Sequence, residues 1–193
     1  MMAQLWDQLN DEEKIVLYCI GSLQSPLRSK LKLHKILFLV TNVFPNLQDL
    51  FRFEPNLLGP YSDKIDYILQ DLQRLNLVTN SEGGVYILTR KGQEIFKNIK
   101  PKQELKDVIQ DFKLFLNDLS DNEIMTYIYT FYPKYTSESA KWDDLKKDRI
   151  EYSIKMLLKG KISYSKASEM AGLDLNDFEK LLKRRKIKWR IEQ

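Results

Sequence analysis

The sequence predicts a mostly α-helical protein with one small β-hairpin wing: a winged helix-turn-helix with a helical extension, followed by a C-terminal helix-turn-helix. Three observations predict it. From Ser62 to Asn76, apolar Ile65, Ile68, Leu69, Leu72 and Leu75 recur every three or four positions and draw one stripe along a helix. Directly after it the period changes to two, in Leu77-Val78-Thr79 and Val85-Tyr86-Ile87-Leu88. The polar turn between them, Asn80-Ser81-Glu82-Gly83-Gly84, has glycines that accept positive φ. Tyr164 to Lys183, finally, combines small Ala167 and Ala171, Gly172 at a turn, and apolar Leu173, Phe178 and Leu181. That is the spacing of two short helices crossing closely.

Asp11 to Gln24 is the first helix expected. Asp11, Glu12 and Glu13 complement its N-terminal dipole, and Ile15, Val16, Cys19, Ile20 and Leu23 form its stripe. Cys19 lies inside that stripe with no base or cation beside it, and reads as a small buried hydrophobe. Pro26 interrupts, and Ser29 caps a second helix to about Phe44, with Leu33, Ile36, Leu37 and Val40 inward and Lys30, Lys32 and Lys35 outward. His34, the single histidine, has no local Ser, Cys or Asp partner and reads as a hydrogen-bonded structural residue. The prolines between Phe51 and Ser62 predict extended chain, with Gly59-Pro60 turning it into the helix that Ser62 caps.

The order Lys32-Leu33-His34-Lys35-Ile36-Leu37-Phe38, then Phe51-x-Phe53, then Gly59-Pro60-Tyr61-Ser62, then a hairpin closing on Leu88-Thr89-x-Lys91-Gly92, resembles the YwgA-like and SocA-like (Panacea) domains. The resemblance spans roughly residues 10 to 132. It implies a winged-helix fold of the kind found in regulators and antitoxins.

Thr89 caps a further helix to about Lys100. Pro101 separates it from Glu104 to Leu119, whose Leu105, Val108, Ile109, Phe112, Phe115, Leu116 and Leu119 need a partner, either a second copy of the chain or the intrachain core. Asp121 to about Tyr132 is an aromatic-rich helix expected to pack on the preceding one. Pro133 to Lys141, polar and carrying Pro, Ser and Thr, reads as a linker. The expected division is therefore 1–132, a linker at 133–141, and a second unit at 142–193. That unit opens with a helix from Trp142 to Lys159, with Leu145, Ile150, Ile154, Leu157 and Leu158 inward and Gly160 as C-cap. Asp174 with Asp177 forms an N-cap arrangement for the second helix of the helix-turn-helix.

The stretch from Lys159-Gly160-Lys161 through Lys166-Ala167-Ser168-Glu169-Met170-Ala171-Gly172-Leu173 to Leu181-Leu182 resembles a small family of prokaryotic helix-turn-helix antitoxins, encoded beside nuclease-like toxins. The acids Asp174 and Asp177 depart from the usual pattern, because they would repel phosphates where a recognition helix enters the groove.

Charge sharpens the functional reading. The formal net charge is +4 over 193 residues. Between Lys180 and Arg190 the chain carries Lys180, Lys183, Arg184, Arg185, Lys186, Lys188 and Arg190 and no acid. Double-stranded DNA is the partner such a cluster suits. The expected contacts are Lys64, Gln70, Gln73 and Arg74 on the first unit, and Lys166, Lys180, Lys183, Arg184, Arg185, Lys186, Lys188 and Arg190 on the second. The rival is a protein-interaction module, an antitoxin that clamps a toxin or other protein partner. A homodimer fits either reading. One Cys and one His supply no disulfide or structural zinc site, and no phosphate-cradling loop or nucleophile-base pair is present, so an enzyme, a metal or a cofactor is not expected. The longest apolar run, near Ile36 to Val40, is too short to span a bilayer and the N-terminus lacks a signal layout, so a cytoplasmic protein is expected.

Overall fold

A computed structural model describes residues 8–189. The fold is mostly helical with one two-stranded antiparallel hairpin, winged-helix-like as the sequence predicts. The described elements are α1 (Asp11–Gly21), α2 (Lys30–Val43), a short α3 (Gln48–Phe51), α4 (Asp63–Arg74), β1 (Val78–Asn80), β2 (Tyr86–Leu88), α5 (Arg90–Phe96), α6 (Gln103–Asn117), α7 (Asp121–Phe131), α8 (Trp142–Leu158), α9 (Tyr164–Ala171) and α10 (Leu175–Arg184). Among the described residues no helix is long and apolar enough to cross a membrane.

The chain divides into two compact units. The first holds residues up to Glu54 together with Pro60–Asp118, and the second holds Pro55–Gly59 together with residues from Leu119 on. The division therefore falls at 118/119 and not at 133–141. The reason lies in α7 and the stretch after it. Tyr129 is fully buried edge-on to Trp142, and its hydroxyl accepts a hydrogen bond from Ser139 Oγ at 2.8 Å. Pro133–Thr136 is a 3-10 turn. The aromatics of α7 thus pack on the helices that follow, and the polar composition of 133–141 reflects a structured corner.

In the first unit Val16, Leu17, Ile20, Leu33, Ile36, Leu37, Val40, Ile65, Leu69, Leu72 and Leu77 are buried to within 3%. Each such Leu or Ile contributes on the order of 2 kcal/mol of apolar burial. β1 pairs with β2 in the register Val78↔Leu88, Thr79↔Ile87 and Asn80↔Tyr86. Leu27 adds a single antiparallel bridge to Tyr86, its N–H donating to Tyr86 O at 3.0 Å. Gly92 has a steric reason to be glycine, because a Cβ there would lie 1.9 Å from Leu77 O. The Leu-Thr-x-x-Gly close is thus where α5 crosses the hairpin's entry, and Thr89 caps it, accepting Gly92 N–H at 3.0 Å. α6 finds its partner within the chain, on α2 and α1.

The first helix ends at Gly21, three residues earlier than expected. Leu23 and Gln24 take left-handed φ of 61° and 49°. A lysine satisfies the carbonyls that this turn directs inward: Lys113 of α6, fully buried, donates through Nζ to Ile20 O, Ser22 O and Ser25 O, each at 2.8 Å. Burial pushes its amine down to about 8. Burial also pushes the fully buried Cys19 thiol up to about 12.

In the second unit α8 buries Leu145, Ile154 and Leu157 as expected, with two differences. Ser153 and Met156 are buried, whereas Leu158 is 55% exposed. Gly160, at φ 64°, does follow the helix end, its N–H donating to Leu157 O and that of Lys161 to Met156 O. Glu123 closes a capping box with Ser120 and takes Lys159 Nζ on both oxygens at 2.8 Å.

Candidate nucleic-acid interface

Two helices could enter a groove, α4 in the first unit and α10 in the second, and their surfaces differ. α4 has a clean apolar face, and its outward line is Asp63, Tyr67, Gln70 and Arg74. Lys64 and Gln73 are nine residues apart, half a revolution at 100° per residue, so they leave the helix on opposite sides. Lys64 pairs with Glu12 at 2.5 Å, Gln73 donates to Asn80 Oδ1 at 3.1 Å, and Arg74 pairs with Asp71 at 3.1 Å. The four residues expected as one site are not brought together; only Gln70 and Arg74 share the outward line. Asp63, Asp66 and Asp71 outnumber Lys64 and Arg74 on α4, and residues 77–88 carry Glu82 and no Lys or Arg. Helix and wing, the parts a winged helix lays on phosphates, are thus net negative.

The polar residues of the Lys32-to-Phe38 motif are engaged inside the fold. Lys32 and Lys35 were expected to point outward, yet they are 5% and 2% exposed. Lys32 Nζ donates to Asn117 O at 2.7 Å and Lys35 Nζ to Pro60 O at 2.8 Å. Their long apolar stems can lie in a core while the ammonium finds a carbonyl. His34 accepts the Ser62 N–H on Nδ1 at 3.3 Å, which leaves Nε2 to donate to Asp66 Oδ1 at 2.9 Å. Asp66 also receives Lys30 Nζ at 2.7 Å and the Tyr61 hydroxyl at 2.6 Å. Tyr61 stacks on His34 with centroids 4.5 Å apart. Burial pushes the Asp66 carboxyl up, but hydrogen bonds from His34, Lys30 and Tyr61 outweigh it and hold the group well below the usual carboxylate range. Burial lowers His34, against the pull of Asp66, so it is neutral in the fold. Ser62 precedes α4 without capping it, since its hydroxyl donates to Phe51 O.

α10 presents a different face. Gly172, left-handed at φ 72°, ends α9, and Asp174 caps α10 by accepting the Asp177 N–H at 2.8 Å, the arrangement the sequence predicts. Phe178, Leu181 and Leu182 are buried. Asn176, Lys180 and Lys183, at i, i+4 and i+7, form the outward line, with Arg184 beside it. Lys180 pairs with Asp177 at 3.0 Å and Lys183 with Glu179 at 2.6 Å. Arg185 reaches Glu151 of α8 at 2.5 Å. Lys166 sits over the Phe131 ring, 4.3 Å from its centroid. Arg184, Lys186 and Lys188 are exposed and make no ion pair among the described residues. Arg190 lies outside the described residues.

The basic segment is anchored. Lys186, left-handed at φ 56°, closes the helix with its N–H on Lys183 O, and Ile187 N–H returns to Leu182 O. Trp189 then stacks on Tyr164, with centroids 4.4 Å apart and planes at 27°. Sequence reasoning missed this clip, which an aromatic following a basic run could have suggested.

Residues 125–193 match the model of an uncharacterised protein family (UPF0175). The UPF0175 match covers about a third of the chain and includes α8, α9 and α10 entire. Searches of curated proteins and of solved structures returned no match. Among the described residues, no group of three or more His, Cys, Asp or Glu side chains is placed to hold a metal ion.

Proposed function

We propose that this chain is a non-enzymatic DNA-binding regulator, a repressor of antitoxin type, which engages double-stranded DNA through its C-terminal helix-turn-helix. The observation that carries the reading is the outward line of α10, Asn176, Lys180 and Lys183, flanked by Arg184, Lys186 and Lys188, which make no ion pair among the described residues. A second helix of that length, exposed along one line and locked by Phe178, Leu181 and Leu182, has the dimensions of a major-groove reader. The match to an uncharacterised family over this same unit, and its resemblance to helix-turn-helix antitoxins, support the antitoxin component. We read the first unit as a YwgA-like or SocA-like domain. Its negative α4 and wing make it the weaker candidate for phosphate and the better one for a protein. In this reading Lys64, Gln70, Gln73 and Arg74 are not DNA contacts. The regulator works in the cytoplasm, as a homodimer on its site.

A second reading has its own support. Asp174 and Asp177 open α10, and Asp63 and Asp71 stand on α4 outside the His34 network, surfaces that suit a basic protein partner such as a toxin. One experiment separates the two: fluorescence anisotropy of the purified chain with its own upstream DNA and with a scrambled duplex, at two salt concentrations. Tight, sequence-dependent binding that weakens steeply with salt supports the regulator. Failure to bind either duplex at low salt overturns it in favour of the protein partner.

A further inference from the structure

We infer that Asn176 is the base-reading residue of this chain, and that it selects an adenine in the major groove; the inference rests on the DNA-binding reading above. The first turn of a recognition helix meets the base edges, so the side chains competent to read are those α10 exposes there. Leu175, Asn176, Asp177, Glu179 and Lys180 are exposed in the first six residues of α10. All of the charged ones are already engaged. Asp177 holds Lys180, and Glu179 holds Lys183. The preceding Asp174 carboxylate caps the helix through the Asp177 N–H. Asn176 alone among them presents a polar side chain with no hydrogen bond among the described residues, and it stands on the outward line. Its amide sets an N–H donor beside a carbonyl acceptor, the complement of adenine N7 and N6. Leu175, 49% exposed beside it, offers the apolar contact that a thymine methyl accepts. Together they favour an adenine with a thymine next to it.

This arrangement also gives the acids a role. Asp177 and Glu179 neutralise the two lysines of the outward line, so the middle of α10 is nearly charge-balanced. Phosphate attraction then comes from Arg184, Lys186 and Lys188 at its far end. A helix so charged is drawn to the backbone by one end and inspects bases with the other.

The test is selection of duplexes from a random library by the full-length chain and by Asn176→Ala, followed by anisotropy on the enriched and scrambled duplexes at two salt concentrations. The wild type is expected to enrich a motif with one or more fixed A·T pairs. Asn176→Ala is expected to lose roughly ten- to hundredfold in discrimination at one of those pairs, with an unchanged salt slope because the side chain is neutral. Asn176→Gln, which keeps the amide, should retain part of the preference. Asn176 is exposed and alanine favours helices, so the variant keeps its fold, which circular dichroism checks. Enrichment of one motif by both proteins with equal affinity overturns the assignment of Asn176 and leaves DNA binding standing. Absence of any enriched motif with the wild type overturns the regulator reading and this inference with it.

Discussion

His34 Nε2 donates to Asp66 Oδ1 at 2.9 Å and so joins α2 to α4 across 32 residues of sequence. The bond ties α4 to α2 through two side chains. Asp66→Asn removes the charge that His34, Lys30 and Tyr61 share and sets an amide NH2 against at least one other donor. It is expected to destabilise the first unit by about 2–3 kcal/mol, read by urea unfolding at neutral pH. A loss below about 0.5 kcal/mol would show that the network is marginal.

The same pair dictates a pH response. Burial keeps His34 neutral in the fold while the unfolded chain protonates it below about pH 6.5, so the unfolded state binds more protons and stability falls as pH drops through that value. Asp66 is depressed in the fold, so its contribution is complete above about pH 4 and is lost as pH falls further. Chemical melts at pH 7.5, 5.5 and 3.5 should show two successive losses. In Asp66→Asn the lower one should shrink.

Lys113→Ala deletes a buried side chain and leaves Ile20 O, Ser22 O and Ser25 O without their donor. The expected cost is about 3–4 kcal/mol, and Lys113→Met, which restores volume alone, should recover about a third of it. Full recovery by methionine would show that packing, and not the three carbonyls, is what Lys113 satisfies.

Gly172 and Gly160 are a matched pair of left-handed glycines with different surroundings. A Cβ at Gly160 meets nothing within 4 Å, whereas one at Gly172 lies 1.5 Å from Nη2 of Arg149. Gly160→Ala should cost about 1 kcal/mol from backbone strain alone. Gly172→Ala should cost slightly more, about 1–2 kcal/mol, because the atoms it meets are the far end of the Arg149 side chain, which can swing aside; Arg149→Ala in the same chain should return that excess. Equal thermal shifts for the two single variants would refute the steric part.

If the tail binds phosphates, replacing Arg184, Lys186 and Lys188 with alanine lowers affinity for every duplex and flattens the salt slope by about 0.9 for each phosphate no longer neutralised. Arg185 is different, because Glu151 holds it. Glu151→Gln releases that guanidinium and is expected to steepen the slope and tighten binding roughly two- to fivefold, measured by anisotropy. A triple variant with an unaltered slope removes the tail from the interface.

The elements were legible because their signals are local. The stripe Ile65-Ile68-Leu69-Leu72, the capping of α2 by Ser29, the Gly172 turn and the Asp174 cap all follow from spacing and residue type. What escaped the sequence was long-range. Lys32 and Lys35 look like surface lysines until Asn117 O and Pro60 O arrive from distant segments, and Lys113 sits on an apolar stripe with nothing nearby to announce three carbonyls. Ser62 looks like a cap, yet a carbonyl eleven residues earlier claims its hydroxyl. At the candidate interface, composition gave the cations, but their pairing with Asp177, Glu179 and Glu151 needed the helix geometry.

The stacking of Trp189 on Tyr164 gives the molecule a built-in optical reporter. Of its three indoles, Trp142 lies edge-on to Tyr129 in the second unit and Trp189 clasps the basic segment to α9. Emission from a variant that retains Trp189 as its sole tryptophan follows the release and seating of that segment directly, so whatever ligand engages it can be followed in real time without an attached dye.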